Sequence, residues 1–365
     1  MKKLLIIAII VLIIIGIAAF FAFQQPKNES INVGVILPLT GELSDQGQAS
    51  KNAIVLASEQ INVAGIDGKK VNFIFEDSQC SAEKAVAAFS KLTDVDGAKV
   101  VIGDICSSAS LAIAKLADEK KIVLVNAGTI AKDLTKSPYV FRFWFSEEQA
   151  SEKIAERATA LGCKKMAVLY VNNDFGEGFN VNIKPKFSML GGEITQSQPI
   201  NPAENDYKTA LLKAEQDSPE CYFYALYPDG LLIALKQSKE LGITKPIFAH
   251  GGIIGVGLNI ASDKSVLEGV MGPLFLPPTA EFISTYKERF NSDPGVTADA
   301  AYDATNALVR IISELGYDSE AIRAGLAELK DYNGVTGIIS IDSNREANRD
   351  LKIQKVVNGA FSDDE

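Results

Sequence analysis

Histidine is nearly missing from this chain: its 365 residues contain one, His250. An imidazole-based metal centre needs several, and a Ser-His-Asp set would have to form around that one ring, so neither metal nor catalytic residues of that kind are expected. There is no nucleophile–base–orienter set elsewhere, and an enzyme is not expected. Glycine is plentiful, at 28 positions, yet no Gly-Lys-Ser/Thr phosphate loop occurs. The densest cluster, Gly251-Gly252-Ile253-Ile254-Gly255-Val256-Gly257, lacks the Gly-x-Gly-x-x-Gly register and the acid of a dinucleotide site, so it reads as a structural turn and no cofactor is expected. Positive charge is in deficit, with 36 Lys and Arg against 46 Asp and Glu and a net charge of -10. Such a chain is repelled by phosphate backbones, which argues against nucleic acid as a partner. Low-complexity segments and short solenoid repeats are missing as well.

What is present is a large core. Hydrophobic residues make up 47% and charged residues 22%, the balance of a globular protein. The length fits two domains or one large α/β unit. Residues 4–23 are unbrokenly apolar behind Met1-Lys2-Lys3. About 20 such residues at about 1.5 Å rise cross a bilayer core. The run ends Ala22-Phe23-Gln24, a poor cleavage site, so a single-pass N-terminal transmembrane helix is expected in preference to a cleaved signal that would release the protein. The leading lysines put the N-terminus in the cytoplasm and the rest outside. Residues 1–30 are therefore read as anchor and spacer. An oxidising compartment permits disulfides among the four cysteines, and composition leaves three pairings open.

From Ile31 onward, apolar strand-like runs alternate with amphipathic helical stretches. Strands are expected at 31–37, 70–76, 99–102 and 122–126, and after Trp144 at 165–171, 193–200, 221–226 and 246–249. Two late strands follow at 335–341 and 351–357. Continuous apolar strands separated by helices predict an α/β fold of two doubly wound parallel-sheet lobes. The lobes are drawn as 31–145 plus 275–335, and 146–274 plus 336–365. Ligands bind such sheets outside the carboxyl ends of the strands. That rule selects four loops: Gly103-Asp104-Ile105-Cys106-Ser107-Ser108, Ala127-Gly128-Thr129, Asn173-Asp174-Phe175-Gly176 and Tyr227-Pro228-Asp229-Gly230. Ser107 and Ser108 either cap a helix or help its free N–H groups to hold a carboxylate. Strand order 2-1-3 in the second half would bring Cys163 and Cys221 to one edge, where they are a candidate bridge.

Three pieces, in this order and spacing, resemble the type I periplasmic binding proteins of the leucine/isoleucine/valine-binding group. They are Ile31-Asn32-Val33-Gly34-Val35-Ile36-Leu37-Pro38-Leu39-Thr40-Gly41, Asp104-Ile105-Cys106-Ser107-Ser108 and Phe175-Gly176-Glu177-Gly178. The resemblance covers nearly everything from Ile31 onward. It implies two lobes joined by three crossovers that close on a ligand. The function it implies is that of the extracytoplasmic binding component of an ABC-type importer. Its ligand would be an amino acid of the branched-chain type, or a related small carboxylate or amide, and its partner a membrane permease. The same fold also serves as a ligand-sensing extracellular subunit, the alternative. By matching position, Ser107 and Thr129, with the carbonyl of Ala127, are expected to hold the ligand's carboxylate and ammonium. Phe175 and Tyr227 are expected to contribute from the second lobe, and Cys80 and Cys106 to form a disulfide. One departure stands out. The family's ammonium-binding glutamate is replaced by Gly251, preceded by His250, and a first-lobe aromatic by Gln46. Asp229 and Glu147 are the candidate acids in its place.

Overall fold

The computed structural model describes residues 30–363. The expected anchor, residues 4–23, lies outside them, and among the described residues no helix is long and apolar enough to cross a membrane. The first sheet contains β1 (Ile31–Leu37), β2 (Val71–Asp77), β3 (Val100–Gly103), β4 (Val123–Asn126) and β5 (Val140–Arg142). Its order is β2-β1-β3-β4-β5 and every neighbouring pair is parallel. Val33, Val35, Val101 and Leu124 have no exposure, as strands covered on both faces require. The covering helices include α1 (Ser44–Ala64), α2 (Ala82–Ser90) and α3 (Ser107–Lys120).

The chain then crosses into a second unit built from α4 (Glu147–Ala160), β6 (Lys165–Val171), α5 (Asp174–Met189), β7 (Glu193–Ile200), α6 (Lys208–Glu215), β8 (Cys221–Ala225), α7 (Pro228–Glu240), β9 (Ile247–Ala249), α8 (Gly251–Ile260) and β10 (Met271–Phe275). It crosses back to α9 (Ala280–Phe290), α10 (Ala298–Leu315) and α11 (Ser319–Ala327), with α10 packed along α1. Residues 332–348, which the sequence reading divides at 335/336, form a small antiparallel sheet of β11 (Tyr332–Gly334), β12 (Gly337–Ile341) and β13 (Ala347–Asn348). A third crossing leads to β14 (Leu351–Val357) and β15 (Ala360–Asp363), giving a second sheet of order β15-β14-β10-β9-β8-β6-β7.

Two expectations need correction. The second sheet is mixed, because β14 runs antiparallel to β10 and β15 antiparallel to β14. An antiparallel edge needs no crossover helix, so a chain arriving late can add strands through a short turn. The glycine cluster read as a turn is the first part of α8. Its glycines are there for close approach: a Cβ on Gly251 would sit 2.2 Å from the carbonyl oxygen of Pro273, and one on Gly255 2.5 Å from Val296.

Two disulfides are formed, Cys80–Cys106 and Cys163–Cys221, with Cα separations of 5.4 and 6.0 Å. The first ties the loop after β2 to the residue preceding α3. The second joins the start of β8 to the residues leading into β6, its neighbour in the sheet.

The crossings converge on buried arginines. Arg142, fully buried, pairs with Glu346 at 2.8 Å. Arg349, in the third crossing, donates to the carbonyl of Phe143 in the first at 3.1 Å and to Asp299 at 2.9 Å. It also donates to Thr336, and its guanidinium lies over the ring of Phe275, where the second crossing begins.

Candidate functional site

The carboxyl ends of β3 and β4 lie side by side, and one residue organises both loops. Asn126, buried at the end of β4, donates through Nδ2 to the carbonyl of Asp104 and to Ser110 Oγ (3.2 Å). Its Oδ1 accepts from the backbone N–H of Gly128 (3.1 Å) and Thr129 (2.8 Å). Asp104 Oδ1 accepts from the N–H of Cys106 at 2.7 Å. Burial still pushes the Asp104 carboxyl up to about 6. The N-cap of α3 is Cys106, with no side-chain cap, and Ser107 is the first helical residue. The Ser107 hydroxyl is thus not spent on capping. It accepts from Thr129 Oγ1 at 3.3 Å, which leaves its own O–H to donate. With the unpaired N–H groups of the first turn of α3, this edge is built for an anion. Ser107, Ala127 and Thr129 are all buried there.

The second sheet presents aromatic rings. Asn173 caps α5, its Oδ1 accepting from the N–H of Phe175 (3.1 Å) and of Gly176 (3.3 Å). Its Nδ2 donates to the Tyr227 hydroxyl at 3.1 Å, so Tyr227 keeps a proton to give. Burial raises the Tyr227 hydroxyl to about 12, and it stays protonated. Phe175 stacks on Tyr227 with centroids 5.2 Å apart. Asp229, in the first turn of α7, lines a cavity of ≈ 270 Å³ together with Tyr227, Tyr207 and, from the first lobe, Glu42.

At the position of the replaced glutamate, no side chain fits, since Gly251 meets the backbone of Pro273. His250 caps α8: its Nδ1 accepts from the N–H of Ile253 at 3.2 Å. The ring is 5.1 Å from Phe145, 6.0 Å from Phe175 and 5.9 Å from Phe179, centroid to centroid. Burial alone lowers its pKa to about 3, so the ring is neutral. Gln46 Nε2 donates to the carbonyl of Gly252 at 3.4 Å, a direct link between the lobes. Glu147 is engaged elsewhere, with Oε2 accepting from Asn182 Nδ2 and from the N–H of Lys132, both at 3.3 Å. Burial pushes its carboxyl up to about 8 against the opposing charge of Arg142. A carboxyl that is protonated at neutral pH offers an ammonium no counter-charge.

The structure thus brings Ser107, Ala127 and Thr129 together on one edge, and Phe175 and Tyr227 together on the other, with Asp229 beside Tyr227. Asn126 and Asn173, which hold these loops in shape, were missed. The signal available was an asparagine at the end of an apolar strand for Asn126, and one just beyond such a strand, before a helix, for Asn173.

Residues 30–360 match the family described as periplasmic binding protein. A leucine-, isoleucine-, valine-, threonine- and alanine-binding protein of Pseudomonas aeruginosa is 25% identical over 334 residues, 86% of this chain and 88% of that one. Among solved structures, a leucine-binding protein of Thermotoga maritima superposes with a TM-score of 0.84 at 26% identity, covering 92% of this chain and 98% of the other. A solute-binding protein of an ABC transporter from Rhodopseudomonas palustris, in complex with 3,4-dihydroxybenzoic acid, gives 0.82 at 26% identity, covering 92% and 95%. Sheet order, threefold crossing and a family match spanning almost every described residue converge: the chain belongs to the type I periplasmic binding proteins, in the leucine/isoleucine/valine-binding family.

Proposed function

We propose that this solute-binding protein is the extracytoplasmic component of an ABC-type importer, and that it closes its lobes on a small carboxylate. The ligand is an amino acid of the branched-chain type or a related carboxylate or amide. The observation that carries this reading is the hydrogen-bonded pair Ser107–Thr129 at the N-terminus of α3, taken with the stacked rings of Phe175 and Tyr227 on the second lobe. Ser107 and the α3 amides take the carboxylate, Thr129 and the Ala127 carbonyl fix its orientation, and Phe175 and Tyr227 cover the body of the ligand. Relatives named for leucine and for a dihydroxybenzoate support a carboxylate as the shared feature. Residues 1–30 tether the protein to the membrane, where it delivers the ligand to a permease.

A thermal-shift panel tests this reading: leucine, isoleucine, valine, their 2-oxo acids and amides, benzoate and 3,4-dihydroxybenzoate. Ligand at 100 times its Kd stabilises the folded state by about 2.7 kcal/mol, whatever its identity. A rise in Tm with at least one carboxylate, lost in Ser107→Ala, is expected. No response to any member rejects the reading.

A further inference from the structure

His250 is the one buried imidazole in the chain, and half of its hydrogen-bonding capacity is unused. The backbone N–H of Ile253 points at Nδ1 and can only donate, so Nδ1 carries the lone pair and the proton of the neutral ring resides on Nε2. Nε2 itself has no partner, although the residue is 6% exposed. Buried donors in folded proteins are nearly always satisfied, by protein, water or ligand. Around the ring stand Phe145, Phe175 and Phe179, none of which bears an acceptor oxygen on its side chain. Phe175 in turn stacks on Tyr227, so the ring is continuous with the second-lobe edge of the candidate site.

From this we propose that His250 is a specificity-determining residue that donates from Nε2 to an oxygen of the bound molecule. The ligand group that meets Nε2 is therefore an oxygen acceptor and not an ammonium, and a small carboxylate without a free amino group is the ligand that fits. The inference rests on the solute-binding reading above and deepens it. An ammonium here would set N–H against N–H. Among the described residues no carboxylate acts on the His250 ring, burial being the sole cause of its weak basicity; Glu42, Asp174 and Asp104 act on Tyr227 instead. Gly251 cannot supply a carboxylate either, for want of space. Asp229 lines the cavity with Glu42, Tyr207 and Tyr227, and is joined to the His250 rings only through the stack of Tyr227 on Phe175.

The chain's single histidine makes the test direct. Protein labelled with 15N-histidine gives one imidazole spin system, free of overlap. Calorimetry compares leucine with 4-methyl-2-oxopentanoate, which has the same carbon skeleton with a keto oxygen in place of the ammonium. The ammonium-free carboxylates of the thermal-shift panel are titrated alongside. The expected result is that at least one ammonium-free carboxylate binds tenfold or more tightly than leucine, and that its addition shifts the Nε2–H resonance. His250→Asn, whose side chain can still cap α8, is expected to bind that carboxylate at least tenfold more weakly while melting cooperatively. Leucine binding more tightly than every ammonium-free carboxylate overturns the inference. So does an Nε2–H signal unmoved at saturation by the tightest binder. Both outcomes leave the solute-binding reading standing, whereas silence from the whole panel removes that reading and this one together.

Discussion

The guanidinium of Arg349 lies 4.1 Å from the centroid of the Phe275 ring, and the same side chain reaches the carbonyl of Phe143. One residue of the third crossing thereby touches the first and the second. The contact is buried and includes an ion pair with Asp299. Arg349→Met should cost about 3–5 kcal/mol, because Asp299 loses its partner in a dry setting. Arg349→Lys should be only partly better, since an ammonium has neither the planar fork nor the stacking face. Urea denaturation checks both, and a midpoint unchanged in Arg349→Met would contradict the role given to the contact.

Gly251 makes a second case. Gly251→Glu would put the family's acid back at this position. With a Cβ 2.2 Å from the Pro273 oxygen, the change should destabilise the fold by several kcal/mol and leave leucine affinity no better. Gly251→Ala should show most of the same loss in a thermal melt, which separates the steric effect from the charge.

Ser107→Ala removes a hydroxyl that is free to donate while its oxygen accepts from Thr129. A charge-assisted hydrogen bond is worth about 1.5–3 kcal/mol, roughly a tenfold to hundredfold change in Kd. Calorimetry on the tightest carboxylate should show that loss, with Tm in the unliganded state nearly unchanged.

Stability should fall as pH rises from about 6.5 to about 8. Burial holds the carboxyls of Asp303 and Glu147 up at about 7 and about 8. Their unfolded values are near 4, so across this window the folded state holds protons that the unfolded state has shed, and raising pH costs stability, by up to about 1.4 kcal/mol per pH unit for each group. His250 acts in the opposite sense. Its folded pKa of about 3 lies below the unfolded value of about 6.5, so its contribution is lost only as pH falls below that value. Thermal melts between pH 6.5 and 8.5 should slope downward, and Glu147→Gln should flatten the slope.

Denatured but unreduced protein should contain no reactive thiol. The bridges close separations of 26 and 58 residues, worth about 3.5 and about 4 kcal/mol on the chain-entropy model. Replacing Cys163 and Cys221 by serine should lower the urea midpoint at least as much as replacing Cys80 and Cys106.

Strands were the most legible part of the chain. Residues 165–171 and 193–200 were legible to the residue, because each run follows a lysine or glycine and stops before an asparagine. The Cys163–Cys221 bridge was legible for a topological reason: β6 lies next to β8 once the order is 2-1-3. Strand direction is not a local property, so the antiparallel β14 and β15 could not be read from periodicity. The helix over Gly251–Ile260 was missed because low helix propensity was taken at face value, whereas packing against Pro273 and Val296 demands residues without a Cβ. Of the candidate site, the loops were legible from the carboxyl-edge rule. The clamping roles of Asn126 and Asn173 were not, since they depend on which loops become neighbours.

Neither lobe is made from one stretch of chain. The first needs α10 to cover α1, and the second sheet is completed by β14 and β15, whose last described residue is Asp363. A chain emerging from the ribosome therefore cannot finish its first lobe until residue 315 is available, nor its second until residues 351–363 have been made. Non-local pairing of this kind slows folding. In a polypeptide carried across a membrane, a delay of this kind keeps the chain threadable until the elements that complete both lobes have arrived.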